Sequence, residues 1–136
     1  MGLRVSHGCW DSSYSSFNLW RCALAEAAGL PPLMLMEGFY ELMMLKEKRT
    51  EPVYPGLPIK WSAVRPDALT YLLSHPDDCG KLYWDQLPAL ADRLEDLLPK
   101  LEKGYNEFDW SPRELAKIFI EGLRKAYAEE EDVTFR

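Results

Sequence analysis

The sequence predicts an α+β fold: a small sheet of three or four strands, antiparallel, packed against at least three amphipathic helices. Three observations carry this reading. Apolar residues recur at spacings of three and four in the stretches that begin at Tyr14, Asp85 and Ser111. The brief apolar runs Leu3-Arg4-Val5 and Val133-Thr134-Phe135 are too short for helices and read as strands. Ten prolines and eight glycines cut the 136 residues into short pieces of mixed type, which pack in layers around one core. The N- and C-terminal strands are expected to lie side by side. A chain of this length is expected to fold as one domain, residues 1–136.

Taken in order, Leu3-Arg4-Val5 ends at the turn-prone pair His7-Gly8. Ser12 and Ser13 then offer N-cap oxygens to a helix from Tyr14 to Ala28, stopped by Gly29 and Pro31-Pro32. Phe17, Trp20, Leu24 and Ala27 share one face of it, and Arg21 lies about 100° around from Trp20, at the edge of that stripe or beyond it. Leu33 to Leu45 reads as a short extended piece followed by a helical turn or two from Glu37. Residues 46–58 read as a loop, and Ile59-Lys60-Trp61 as a strand. Asp67 caps a short helix, Ala68 to Ser74, with Leu69, Leu72 and Leu73 inward. Lys81 to Trp84 reads as a strand, and Asp85 as the cap of a helix whose stripe runs from Leu87 through Leu90, Ala91, Leu94, Leu97 and Leu98 to Leu101.

The last helix carries the strongest start signal. Ser111-Pro112-Arg113-Glu114 is a capping box with Pro at the first helical position. Leu115, Ile118, Phe119, Gly122, Leu123 and Ala126 are its expected buried face. Glu129-Glu130-Glu131-Asp132 follows, where negative charge opposes the helix dipole. This run reads as a solvated stop, with a docking point for a basic partner as the alternative.

Sixteen Lys and Arg against 22 Asp and Glu give a net charge of -6. That excludes a sequence-blind grip on nucleic-acid backbone, which draws its affinity from clustered cations. No apolar run approaches the ~18 residues of a membrane span, and Met1-Gly2-Leu3-Arg4 is not followed by a secretory apolar core. A cytoplasmic protein with no membrane partner is expected. The three cysteines Cys9, Cys22 and Cys79 are an odd number, which fits reduced thiols.

Both histidines stand close to a cysteine, in His7-Gly8-Cys9 and in His75-Pro76-Asp77-Asp78-Cys79. The pattern demands no cofactor, but the residue types allow three chemistries. His7, Cys9, His75 and Cys79 have the ligand complement of a zinc site, with spacing that matches the usual knuckles poorly. Cys79 or Cys9 as thiolate, His75 or His7 as base, and Asp77 or Asp78 as the orienting carboxylate would make a cysteine hydrolase. Asp77 and Asp78 would suit magnesium, although adjacent aspartates are more often turn residues. A fourth arrangement is a binding pocket: Trp10, Tyr14 and Arg21, beside His7 and Cys9, combine stacking faces with a guanidinium fork, which suits a small anionic, nucleotide-like ligand. Trp20 reads instead as a core aromatic. A protein–protein adaptor working through the Met34–Met44 stretch is a further class.

The run Gly2-Leu3-Arg4-Val5-Ser6-His7-Gly8-Cys9-Trp10, with Tyr14-Ser15, Phe17 and Trp20-Arg21, resembles a group of small uncharacterised proteins encoded by phages and prophages. The resemblance extends to Met36-Glu37-Gly38-Phe39-Tyr40, Leu57-Pro58-Ile59-Lys60-Trp61, Ala91-Asp92-Arg93-Leu94 and Phe119-Ile120-Glu121-Gly122-Leu123-Arg124, and so covers most of the chain. It implies a phage accessory protein acting in the bacterial host, and no reaction. Proteins of that kind bind host factors or capture the nucleotide signals of host defence. The expected function is therefore non-enzymatic binding of a small anionic ligand or a host protein. A small hydrolase built on His75, Asp77, Asp78 and Cys79 is the alternative. Both require the His7 and His75 segments to meet in space.

Overall fold

A computed structural model describes residues 2–46, 48, 58–74, 80–101 and 111–136; for Tyr14, Ser15, Leu42, Met43 and Lys46 the description covers the backbone. The chain opens with an antiparallel hairpin, β1 (Gly2–Val5) and β2 (Trp10–Ser13), paired from Gly2–Ser13 to Val5–Trp10. A 3₁₀ turn, Ser6–Gly8, joins the two strands, with His7 and Gly8 both at positive φ. Alternation puts Leu3 and Val5 on the buried side and Arg4 outside.

Ser13 caps α1 (Tyr14–Ala27), its hydroxyl accepting the Ser16 N–H at 3.1 Å, and Gly29 ends the helix region at φ 73°. The stretch after it differs from the sequence reading. Residues Leu33–Leu35 form a 3₁₀ turn, and only Met36 is extended, in a parallel bridge to Ile59, before α2 (Phe39–Lys46). Ile59-Lys60-Trp61 is accordingly one bridge rather than a strand. It is clipped in place by Glu37, whose N–H donates to the Ile59 carbonyl at 2.8 Å and whose Oε1 accepts the Trp61 N–H at 2.9 Å.

Asp67 Oδ1 accepts the Leu69 N–H ahead of the single-turn helix α3 (Thr70–Leu73), and Leu69, Leu72 and Leu73 are buried as the pattern requires. Strand β3 (Lys81–Leu82) is shorter than read, because Trp84–Gln86 coils into a 3₁₀ turn leading into α4 (Leu87–Leu97). Asp85 lies inside that turn. The Leu87–Leu97 stripe is buried throughout. Helix α5 (Pro112–Ala128) begins at Ser111, whose hydroxyl accepts the Glu114 N–H. Its buried face is rotated from the expected one: Ile118 is 48% exposed and Ile120 is buried. Ala116, Phe119, Ile120 and Leu123 make the contact stripe, and Ile118 lies about 100° off it.

Among the described residues the strands form two antiparallel pairs, β1–β2 and β3 with β4 (Val133–Thr134), rather than one three- or four-stranded sheet. A bridge from Val5 to Phe135 joins the pairs, and Arg4 and Arg136 exchange backbone hydrogen bonds at 3.1 and 2.9 Å. Mixed helix and strand thus stands as expected, and the two ends of the chain are hydrogen-bonded. Between hairpin, α1 and α5 lies an aromatic core. Trp10, Phe17, Trp20, Phe119 and Phe135 have adjacent ring centroids 5.0–6.0 Å apart, the spacing of stacked and edge-to-face pairs. The Trp20 indole N–H donates to the Pro112 carbonyl at 3.2 Å, tying α1 to the start of α5. Among the described residues no helix is long and apolar enough to cross a membrane.

Candidate functional site

Of the residues that the sequence groups around one pocket, Cys9, Trp10 and Arg21 are buried. Trp10 is 3% exposed inside the aromatic core, and its indole Nε1 has no hydrogen-bond partner among the described residues. Cys9 is buried under α5 and burial pushes its thiol up to about 12, so it is held protonated and is a poor nucleophile. The half-buried Cys22 thiol is also raised by burial, against an opposing pull from the Arg21 charge.

Arg21 is the least expected placement. It is 1% exposed, and its guanidinium sits 4.6 Å from the ring centre of Phe17 and 4.8 Å from that of Phe39. Nη1 donates to the Leu72 carbonyl at 3.2 Å and reaches Leu73 O at 3.5 Å, the end of α3 where unpaired carbonyls collect, and Nη2 donates to Asn18 Oδ1. Its fork is thus engaged with backbone between two aromatic faces, which ties α1, α2 and α3 together. The backbone places Tyr14 at the first turn of α1. His75, Asp77, Asp78 and Cys79 lie outside the described residues, so the meeting of the two histidine segments lies outside them as well.

His7 faces the C-terminal acidic run instead. Its Nε2 is 3.1 Å from Glu131 Oε1 and 3.5 Å from Glu129 Oε2, and its Nδ1 is 2.8 Å from Ser6 Oγ. The His7 hydrogen bond is the first cause holding the Glu131 carboxyl below the ordinary carboxylate range, with Glu129 the second. Asp132 accepts the Trp84 N–H at 2.6 Å and pairs with Lys81 at 3.4 Å. The run therefore does more than stop a helix: three of its four members are engaged within the chain.

Two adjoining clefts open elsewhere, around residues 61–68. One, of about 700 Å³, lies between the segment after α1 (28–31), Ile59, the 63–68 segment and Arg93 of α4. The other, about 510 Å³, is bordered by Trp61, Ser62, Tyr71 and Ala89, and the two share Val64, Pro66, Asp67 and Ala68. Asp67 takes the Arg93 Nε–H at 3.1 Å on each carboxylate oxygen, so one cation of the larger cleft is neutralised inside it. Arg65 is exposed and forms no ion pair among the described residues. Tyr71 is 43% exposed and Trp61 partly so. Sequence reading passed over Arg65, Trp61 and Tyr71. The available signal was an arginine held against Pro66 in a short segment between two apolar elements, where a side chain has no helix face to join. Comparison with protein-family models, curated proteins and solved structures finds no match for this chain.

Proposed function

We propose that the chain is a non-enzymatic binding protein of the phage accessory kind, and that a small anionic, ring-bearing ligand of nucleotide type is held in the paired clefts around residues 61–68. One observation carries the reading: Arg65, an exposed guanidinium with no ion pair among the described residues, borders a cleft of about 700 Å³ that adjoins a second one edged by Trp61 and Tyr71. A guanidinium fork suits phosphate, and aromatic faces suit a planar ring. Leu30, Pro31, Ile59 and Val64 supply apolar wall to the larger cleft, beside a polar side formed by Arg65, Asp67 and Arg93. This keeps the chemistry expected from the sequence and moves it from Trp10, Tyr14 and Arg21 to Trp61, Tyr71 and Arg65. With a net charge of -6 the bulk of the surface repels anions, so the affinity rests on local contacts. The hydrolase alternative loses Cys9, whose thiol is protonated and enclosed.

A melting-temperature screen of the full chain against nucleoside mono-, di- and triphosphates tests the proposal, followed by titration of the best hit. A charge-assisted hydrogen bond contributes roughly 1.5–3 kcal/mol, so Arg65→Ala is expected to weaken binding about 10- to 100-fold while leaving the apo melting temperature in place. Absence of any stabilising nucleotide, or binding indifferent to Arg65→Ala and Tyr71→Ala, refutes it.

A further inference from the structure

We propose that His7, Glu129 and Glu131 form a binding site for one divalent transition-metal ion, with Zn²⁺ the first choice, at the point where the beginning and end of the chain meet. The three side chains offer an imidazole nitrogen and two carboxylate oxygens that all lie within 4.8 Å of one another. The Nε2–oxygen distances of 3.1 and 3.5 Å bracket the separation of about 3.3 Å between two ligands placed about 2.0–2.1 Å from a tetrahedral zinc. An ion can therefore be seated with side-chain adjustments alone.

Charge points the same way. Two carboxylates converge on one imidazole, so negative charge is concentrated at this point. A divalent ion balances them, and it takes the imidazole in its neutral form, the form in which histidine binds metals. The imidazole is also oriented for this. With an ion bound, the Nε2 hydrogen would give way to the metal and Nδ1–H would donate to Ser6 Oγ, 2.8 Å away, which is itself fixed by the Thr134 N–H at 2.9 Å. Such an outer hydrogen bond is how ligating histidines are commonly held. His7 is only 12% exposed at its side chain, whereas both glutamates reach water, so an ion has a route in and a rigid anchor on arrival. One nitrogen and two carboxylate oxygens select Zn²⁺ or another first-row ion over Mg²⁺, which prefers an oxygen octahedron and retains its waters. Three protein ligands leave a fourth position for water.

The test is calorimetric titration of the full chain, stripped with EDTA, with Zn²⁺, Mn²⁺ and Mg²⁺, together with the absorption spectrum of the Co²⁺ form. The expected result is one equivalent of Zn²⁺, weakened at least about 10-fold by Glu131→Gln and by His7→Gln, and about 10- to 100-fold by Ser6→Ala. Far-UV circular dichroism in EDTA checks that each variant is folded; Glu131→Gln changes an exposed side chain and is the decisive one. At about 100 times its Kd the ion should raise the folded-to-unfolded ratio about 100-fold. The Co²⁺ form should lack a thiolate charge-transfer band. A strong band of that type would place the ion at the cysteines and overturn the assignment, as would Zn²⁺ binding unchanged by Glu131→Gln, or none.

Discussion

Replacing Gly122 by alanine sets two known effects against each other. In an open helix interior Ala is favoured over Gly by about 0.8–1.0 kcal/mol, so the substitution would stabilise α5. At this position a Cβ would stand 3.0 Å from both the Cys9 nitrogen and the His7 carbonyl oxygen, and closer still to Cys9 Sγ. The two backbone atoms belong to the turn after β1 and cannot rotate away, so the helix and the turn must separate. Overpacking of this kind costs about 1–3 kcal/mol, which after the propensity gain leaves a net loss of up to about 2 kcal/mol. For a chain of this size each kcal/mol lowers Tm by roughly 3–5 °C. Differential scanning calorimetry and urea titration should both show Gly122→Ala less stable than the parent. In a Cys9→Ala background the loss should shrink without vanishing, because the sulfur contact goes and the backbone contacts stay. A Tm equal to or above that of the parent would refute the close approach of α5 to the turn.

Other outcomes follow from the buried groups. Arg21→Met leaves the Leu72 and Leu73 carbonyls without their charged donor and empties the space between Phe17 and Phe39; a loss of about 3 kcal/mol is expected in urea, and an unchanged midpoint would contradict the placement of Arg21. With its thiol at about 12, Cys9 is ionised in about one molecule in ten thousand at pH 8, so a thiol reagent should label it only as fast as the protein unfolds. The same shift fixes a pH dependence. The folded thiol holds its proton above the ordinary value of 9.0, so its contribution is fully present below that pH and is lost as pH rises towards 12. The stability difference between the parent and Cys9→Ala should therefore be flat up to about pH 8.5 and then narrow by about 1.4 kcal/mol per unit, measured by urea titration between pH 8 and 10.5. A constant difference across that range would show that the thiol is not enclosed.

The readable parts of this fold were those governed by neighbours in sequence. Ser13 and Ser111 announce their helices because a hydroxyl needs only the N–H three residues on, and the Leu87–Leu97 stripe announces its buried face by period alone. Arg21 was harder to place because its length lets it reach from the edge of a helical stripe to carbonyls more than fifty residues away. The same holds for Ile118 and Ile120, whose exposure is set by where α5 lands on α4 and on the turn at Ser6–Gly8. The candidate site was least readable. His7 was marked out by its type, but its partners Glu129 and Glu131 sit at the far end of the chain, in a run that reads locally as solvent-exposed charge. The clefts beside Arg65 are assembled from the 28–31, 59–71 and 89–93 segments, and no periodicity links those stretches.

The backbone pairing of Arg4 with Arg136 and of Val5 with Phe135 also governs how the protein is made. Residues 2–13 are made well over a hundred residues ahead of the segment around Phe135 and Arg136 whose contacts complete their burial. Until that pairing closes, the apolar side of the hairpin, Leu3, Val5 and Trp10, lacks part of its cover; long-range closure of this kind slows folding and leaves apolar surface open to other chains.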